Sequence, residues 1–128
     1  MQQRTTSISQ VRTVAVPTTD QERSLAFYTD ILGFEKTLDA AFGAGQRWIE
    51  VTPPGGGTSL ALPPLGDAPA GIDTGIRLET GDADADHKAL KAAGADVDAD
   101  VLRYPGVPPM FSLRDPDGNT LYVVQRME

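Results

Sequence analysis

The sequence predicts an α+β fold built as a tandem of two βαβββ units, and three observations carry that prediction. The order strand, helix and three short strands occurs twice. Equivalent residues recur at one spacing: Asp20 and Asp82, Trp48 and Met110, and Thr58 and Thr120 each lie 62 apart, and Gly33 and Gly94 lie 61 apart. A repeat at a fixed period is the signature of a duplicated structural unit. Finally, 128 residues suffice for one hydrophobic core and not for two independent domains. The expectation is a single domain over residues 1–128, with a first unit at about 11–62, a Pro- and Gly-rich linker at 63–74 and a second unit at about 75–126.

Each element has a local reason. The run from Val11 to Pro17 is rich in β-branched residues and reads as a strand. Thr19-Asp20-Gln21-Glu22 fits a capping box, the Thr19 hydroxyl taking one orphan amide and Glu22 reaching back for another. Leu25, Tyr28 and Leu32 then recur at helical spacing, and Gly33 supplies a stop, so a helix is predicted over about 20–32. Strands are predicted at Phe34 to Ala40, Arg47 to Val51 and Thr58 to Leu62, separated by the turn-forming AFGAG and PPGGG. In the second unit a strand is predicted at 75–80 and a helix from Asp82 to Ala93 closed by Gly94. Strands follow at 97–102, 109–114 and 120–125.

Composition removes several classes of function. With 40% hydrophobic and 23% charged residues the chain is too apolar to remain disordered. A net charge of −7 with no basic stripe argues against nucleic acid as a partner. The absence of cysteine excludes disulfides, thiolate catalysis and Cys-type zinc sites. No signal-like or membrane-spanning apolar run is present, so a cytoplasmic protein without a membrane partner is expected. The single histidine, His87, borders the apolar stripe of the second helix and reads as structural. Asp82, Asp84 and Asp86 fit a helix cap and first turn better than a metal cluster. Asp115 to Asn119 reads as a hairpin turn, since the calcium-loop pattern fails at its glycine and at its last ligand. Tyr104 to Pro109 is stiff enough to form one rim of a site.

The stretch D-x-x-x-S-L-A-F-Y-x-x-x-L-G-F from Asp20 to Phe34, and F-x-x-x-D-P-D-G-N from Phe111 to Asn119, resemble the vicinal oxygen chelate superfamily. That superfamily includes glyoxalase I, the bleomycin-resistance proteins and the extradiol dioxygenases, and the resemblance covers residues 11–126. It implies a curled mixed sheet around a U-shaped cleft, and commonly a homodimer. In its metal-dependent members, ligands lie on the first and last strands of each unit, positions that fall here on Thr13, Ala61, Gly75 and Tyr122. None of the four is an anionic or imidazole donor, so no metal and no other cofactor is expected.

Strand alternation independently predicts which residues line the cleft. If Ile76 and Leu78 pack under the helices, Gly75, Arg77 and Glu79 face the other way. The same parity places Thr13, Trp48, Glu50 and Ala61 from the first unit, and Met110, Ser112, Arg114 and Tyr122 from the second, on the cleft side. An aromatic wall with a few charges is the usual recipe for a small-molecule site. The leading reading is therefore a metal-independent binding protein of the bleomycin-resistance type, taking a cationic or aromatic compound. The alternative is an enzyme, either glyoxalase- or dioxygenase-like or metal-free. A metal-free enzyme would use Glu50 or Glu79 as general base, Arg77 or Arg114 to stabilise an oxyanion, and Tyr122 as an acid only if nearby arginines lower its pKa. A third reading is an interaction module with a vestigial cleft. Simple ion pairing across the sheet is the plain alternative for Arg77, Glu79, Glu50 and Arg114, as core packing is for Trp48.

Overall fold

The computed structural model describes residues 5–127. Strand β1 (Thr13–Ala15) leads into helix α1 (Gln21–Ala26), which runs on as a π-helical turn, Phe27–Ile31. Then follow β2 (Glu35–Ala41), β3 (Arg47–Thr52) and β4 (Ser59–Ala61). The second half repeats the plan with β5 (Asp73–Thr80), α2 (Ala83–Ala92), β6 (Asp96–Val97), β7 (Leu102–Tyr104), β8 (Val107–Arg114) and β9 (Thr120–Gln125). The first sheet has the order β1-β4-β3-β2 and the second β5-β9-β8-β6, with β7 also paired to β8. In both, the first strand lies parallel to the last and the remaining pairs are antiparallel, so the fold is the mixed α+β type expected. No helix among the described residues is long and apolar enough to cross a membrane.

Three local expectations are corrected. The cap of α1 is Asp20, whose carboxylate accepts from the Arg23 amide at 3.1 Å; the Thr19 hydroxyl is drawn away to Asp117, and Glu22 pairs with Arg47 instead of reaching back. The first helix does not stay α-helical to its end. Leu32 N–H bonds Phe27 O and Phe34 N–H bonds Tyr28 O, a turn one residue wider than the closing turn of α2, where Ala95 N–H reaches Leu90 O past Gly94 at φ +84. The strand expected over 97–102 is broken in two. Asp98 uses its own carboxylate, rather than a ladder carbonyl, to take the Ser112 amide at 2.8 Å, which ends the regular pairing after Val97.

Both sheets turn their apolar faces to one core. Val16, Ile49, Val51, Leu60 and Leu62 from the first half pack with Phe111, Leu113, Leu121 and Val123 from the second, and Tyr28, Phe34, Ala83 and Leu90 come from the helices and their ends. His87 closes one side of it, edge-on to Phe111 at 5.1 Å, with its Nε2 against the Asp98 carbonyl at 2.7 Å, a structural position as expected.

The halves are locked by the turn between β8 and β9. The buried Asp115 carboxylate accepts four hydrogen bonds: Asp117 and Asn119 amides on Oδ1, and the Tyr28 hydroxyl at 2.8 Å and Asn119 Nδ2 on Oδ2. Tyr28 belongs to the first half, so this carboxylate is the hinge pin between them. Burial, then the charge of Asp115, pushes the Tyr28 phenol far above its usual range, which keeps it a donor. Asn119 adds bonds to Pro17 O and from Ile72 N–H, and Asp117 accepts from Thr18, Thr19 and Arg23 at the start of α1. Tyr28→Phe is expected to lower stability by about 1.5–3 kcal/mol in urea unfolding, the usual cost of removing a hydrogen bond to a charged group.

Asp117 also gives an acid-labile component. Burial raises its pKa, but the Thr18 and Thr19 hydrogen bonds and the Arg23 charge outweigh it, and the net shift is downward. A depressed folded pKa adds stability above the ordinary carboxylate range, lost as pH falls from about 4 through the folded value. Urea midpoints recorded against pH should therefore fall on acidification, and less steeply in Asp117→Asn than in the wild type.

Candidate functional site

Strand parity places the expected site residues as two separate groups. On the outward face of the first sheet, Thr13 stands opposite Ser59, Ala15 opposite Ala61, and Glu50 opposite Ala61 on the other side, with Trp48 two residues before Glu50. On the outward face of the second, Arg77 stands opposite Tyr122, Tyr122 opposite Ser112, Glu79 and Met110 on either side of Val124, and Arg114 opposite Thr120. Gly75 lies in an irregular stretch of β5 at φ +71, where Arg77 Nη1 bonds its carbonyl at 2.8 Å. Among the described residues, no hydrogen bond or ion pair joins the two groups. The sequence leaves open whether the two units complete a cleft within one chain or across two; in the single chain both sheets bury apolar side chains in the same core, and their polar faces look away from it.

The first half-site centres on a carboxylate. Glu50 is 3% exposed, and its Oε2 accepts from Trp48 Nε1 at 2.8 Å and from Arg12 Nη1 at 3.1 Å. Phe42, from the end of the hairpin, sets its ring edge-on to Trp48 at 6.4 Å and 71°. Leu38, paired with Glu50, extends the same face and is partly exposed.

The second half-site is a chain of charges around an aromatic ring. The Arg77 guanidinium lies over the Tyr122 ring at 4.4 Å, and the Tyr122 hydroxyl donates to Asp73 at 2.7 Å. That bond, followed by partial desolvation, raises the phenol's pKa, and the same bond, together with one from the Gly75 amide, lowers that of Asp73. A general acid would need the opposite shift in Tyr122. Arg114 is held between Asp96 at 2.9 Å and Asp98 at 3.2 Å, and Ser112 Oγ donates to Asp98 at 2.7 Å. Glu79 pairs with Arg126 at 3.3 Å, both of them exposed. Neither candidate base is idle, and they lie on different sheets.

A third space was not expected. A cleft of about 790 Å³ opens between the halves, lined by Val14 and Leu60 from one sheet, Ile76, Leu78 and Val123 from the other, and Phe34 and Leu90 beneath. Of the expected site residues only Arg77 and Glu79 border it.

Arg12, Phe42, Asp73 and Asp98 were missed. Parity extended two residues back along β5 reaches Asp73, and parity along β2 leads to Phe42. Nothing in the sequence pairs Arg12 with Glu50, 38 residues away.

The four positions at which metal-dependent relatives carry ligands do not fit a metal. Ala61 and Gly75 offer no side-chain donor, the Thr13 hydroxyl accepts from Arg12 at 2.9 Å, and the Tyr122 hydroxyl is committed to Asp73. The described residues contain no group of three His, Asp or Glu side chains placed to share an ion.

Comparison with known proteins gives the same family by two routes, a family model and solved structures. The chain is 34% identical to TnmS3, described as an antibiotic binding protein from Streptomyces sp. CB03234, with a TM-score of 0.85 over 95% of this chain and 99% of that one. A member of the glyoxalase/bleomycin resistance protein/dioxygenase superfamily from Sphaerobacter thermophilus DSM 20745 is 33% identical, with a TM-score of 0.87 over 93% and 98%. Among curated proteins, the uncharacterized YetH of Bacillus subtilis (strain 168) is 39% identical over 57 residues, a stretch covering 44% of this chain and about half (48%) of that relative. The Glyoxalase family model, described as Glyoxalase/Bleomycin resistance protein/Dioxygenase superfamily, matches residues 10–123. With its paired βαβββ halves and their outward polar faces, the chain belongs to the glyoxalase/bleomycin resistance protein/dioxygenase superfamily.

Proposed function

We propose that this protein sequesters a small molecule, in the manner of the bleomycin-resistance proteins, and that it does so without a metal. The observation that carries this reading is the Trp48–Glu50 pair, a half-buried indole hydrogen-bonded to a buried carboxylate on an otherwise open sheet face. Such a face suits a cationic or aromatic compound, by stacking and by charge. The antibiotic-binding description of TnmS3, similar along almost the whole chain, supports the same class of function. Glu50 already takes two donors on one oxygen, an arrangement suited to recognising charge.

Each chain presents two half-sites facing away from each other, and a homodimer is the economical way to complete them. A two-fold pair would set the Trp48 face of one copy beside the Tyr122 face of the other. Apolar side chains flank both faces and are exposed in the single chain: Leu38 and Phe42 on one, Leu102, Tyr104 and Val107 on the other.

Three measurements check these statements. Trp48 is the sole tryptophan, so planar aromatic cations should quench its fluorescence saturably; failure of every such compound to do so would overturn the reading. Thermal melting of EDTA-treated protein should show no saturable rise with Ni²⁺, Zn²⁺, Mn²⁺ or Fe²⁺, since a metal that binds only the folded form raises stability by RT ln(1 + [L]/Kd). Light scattering should give twice the 13.6 kDa chain mass, and a monomer would contradict the paired cleft.

A further inference from the structure

We propose that Glu50 is a cation-recognition site whose resident cation, in the ligand-free chain, is the protein's own Arg12, and that a flat aromatic cation binds by taking the guanidinium's place. The inference rests on the small-molecule reading of the same face and adds to it a charge requirement and a built-in competitor.

The two partners of this ion pair differ sharply in exposure. The Arg12 side chain is 72% exposed and that of Glu50 is 4% exposed. The backbone beside Arg12 is fixed, since Ser59 N–H bonds Arg12 O at 3.0 Å and the Thr58 hydroxyl bonds Val11 O at 2.9 Å. Releasing the guanidinium therefore requires only side-chain rotation into water, where an exposed arginine keeps its hydration and gives up little. Glu50 has no such freedom. It sits in β3 between β2 and β4, and loss of Arg12 would leave Trp48 Nε1 as its one described side-chain donor. Stripping a partner from a buried carboxylate is costly unless another positive charge takes over.

This asymmetry selects among ligands. A neutral aromatic must either pack around Arg12 or displace it and leave the carboxylate under-partnered, whereas a cation replaces one pair by another. The hydrogen bond from Trp48 to Glu50 holds the indole beside the charge, and Phe42 stands edge-on to it, so the incoming cation meets aromatic surface. The second half-site shows the same pattern independently: a guanidinium, Arg77, rests on an aromatic ring, Tyr122, that is hydrogen-bonded to a carboxylate, Asp73. Both faces thus hold one of the chain's own guanidinium groups beside an aromatic ring and a carboxylate.

The test compares N-methylquinolinium with quinoline at neutral pH, where quinoline is uncharged, by Trp48 quenching in the wild type, Arg12→Gln and Glu50→Gln. If Arg12 occupies the site most of the time, the apparent Kd is raised by the inverse of the free fraction, so Arg12→Gln should tighten N-methylquinolinium about fivefold to tenfold. Quinoline should change by less than about twofold, and Glu50→Gln should erase the preference for the cation. Equal tightening of both probes, or no tightening of the cation, would overturn the proposal while leaving small-molecule binding in place. Quenching by neither probe in any of the three proteins would remove both readings. Should Glu50→Gln melt early, the exposed Arg12→Gln variant decides the matter alone.

Discussion

A single buried carboxylate sets the geometry of this molecule. Asp115 is surrounded by four donors, one of them a tyrosine hydroxyl from the opposite half of the chain. A carboxylate removed from water is tolerated only when its lone pairs are satisfied. Satisfying this one requires the first helix to lie against the β8–β9 turn. Once it does, the two sheets have one place to put their apolar faces, and that is a common core. The outward direction of both polar faces, and with it the character of the site, follows from this contact.

The charged groups of the polar faces are paired within the chain. Each charged group on them is already matched: Glu50 with Arg12, Arg77 with the Tyr122 ring, Arg114 with Asp96 and Asp98, Glu79 with Arg126. Such matching gives each charge a partner from this chain. The Tyr122 phenol, donating to Asp73, is shifted upward. The space between the halves differs in kind, since it is lined by aliphatic side chains of both sheets together with Arg77, Glu79 and Arg126.

What could be read from the sequence was whatever depends on period. Strand alternation is strictly two, so Ile76 and Leu78 in the core imply Arg77 and Glu79 outside, and the observed register places Trp48 with Glu50 and Tyr122 with Arg77 as that rule requires. The helices were legible from spacing and glycine stops. The lock between the halves was not, because Thr18 and Asp117 are 99 residues apart and only the tertiary fold makes them neighbours. Asp115 to Asn119 read correctly as a turn, but a turn motif carries no record of what its carboxylates grip. Thr19 looked like a cap for the same reason, its true partner being distant. Splitting the strand after Val97 depended on a side chain outcompeting a backbone carbonyl, which alternation cannot foresee.

The duplication has an unequal history written into its two turns. In the second half, Asp-Pro-Asp-Gly-Asn links β8 to β9 and holds the molecule together; in the first, the corresponding link between β3 and β4 is Pro-Pro-Gly-Gly-Gly-Thr, one residue longer and without a carboxylate. In the second turn Gly118 stands at φ +83, a backbone conformation that favours glycine. One hairpin turn thus joins the halves, while the other lines the wall of an open cleft. Residues 53–58 take no part in the hydrogen bonds of that joint, so a change of length or side chain there reshapes the cleft wall and leaves the joint intact.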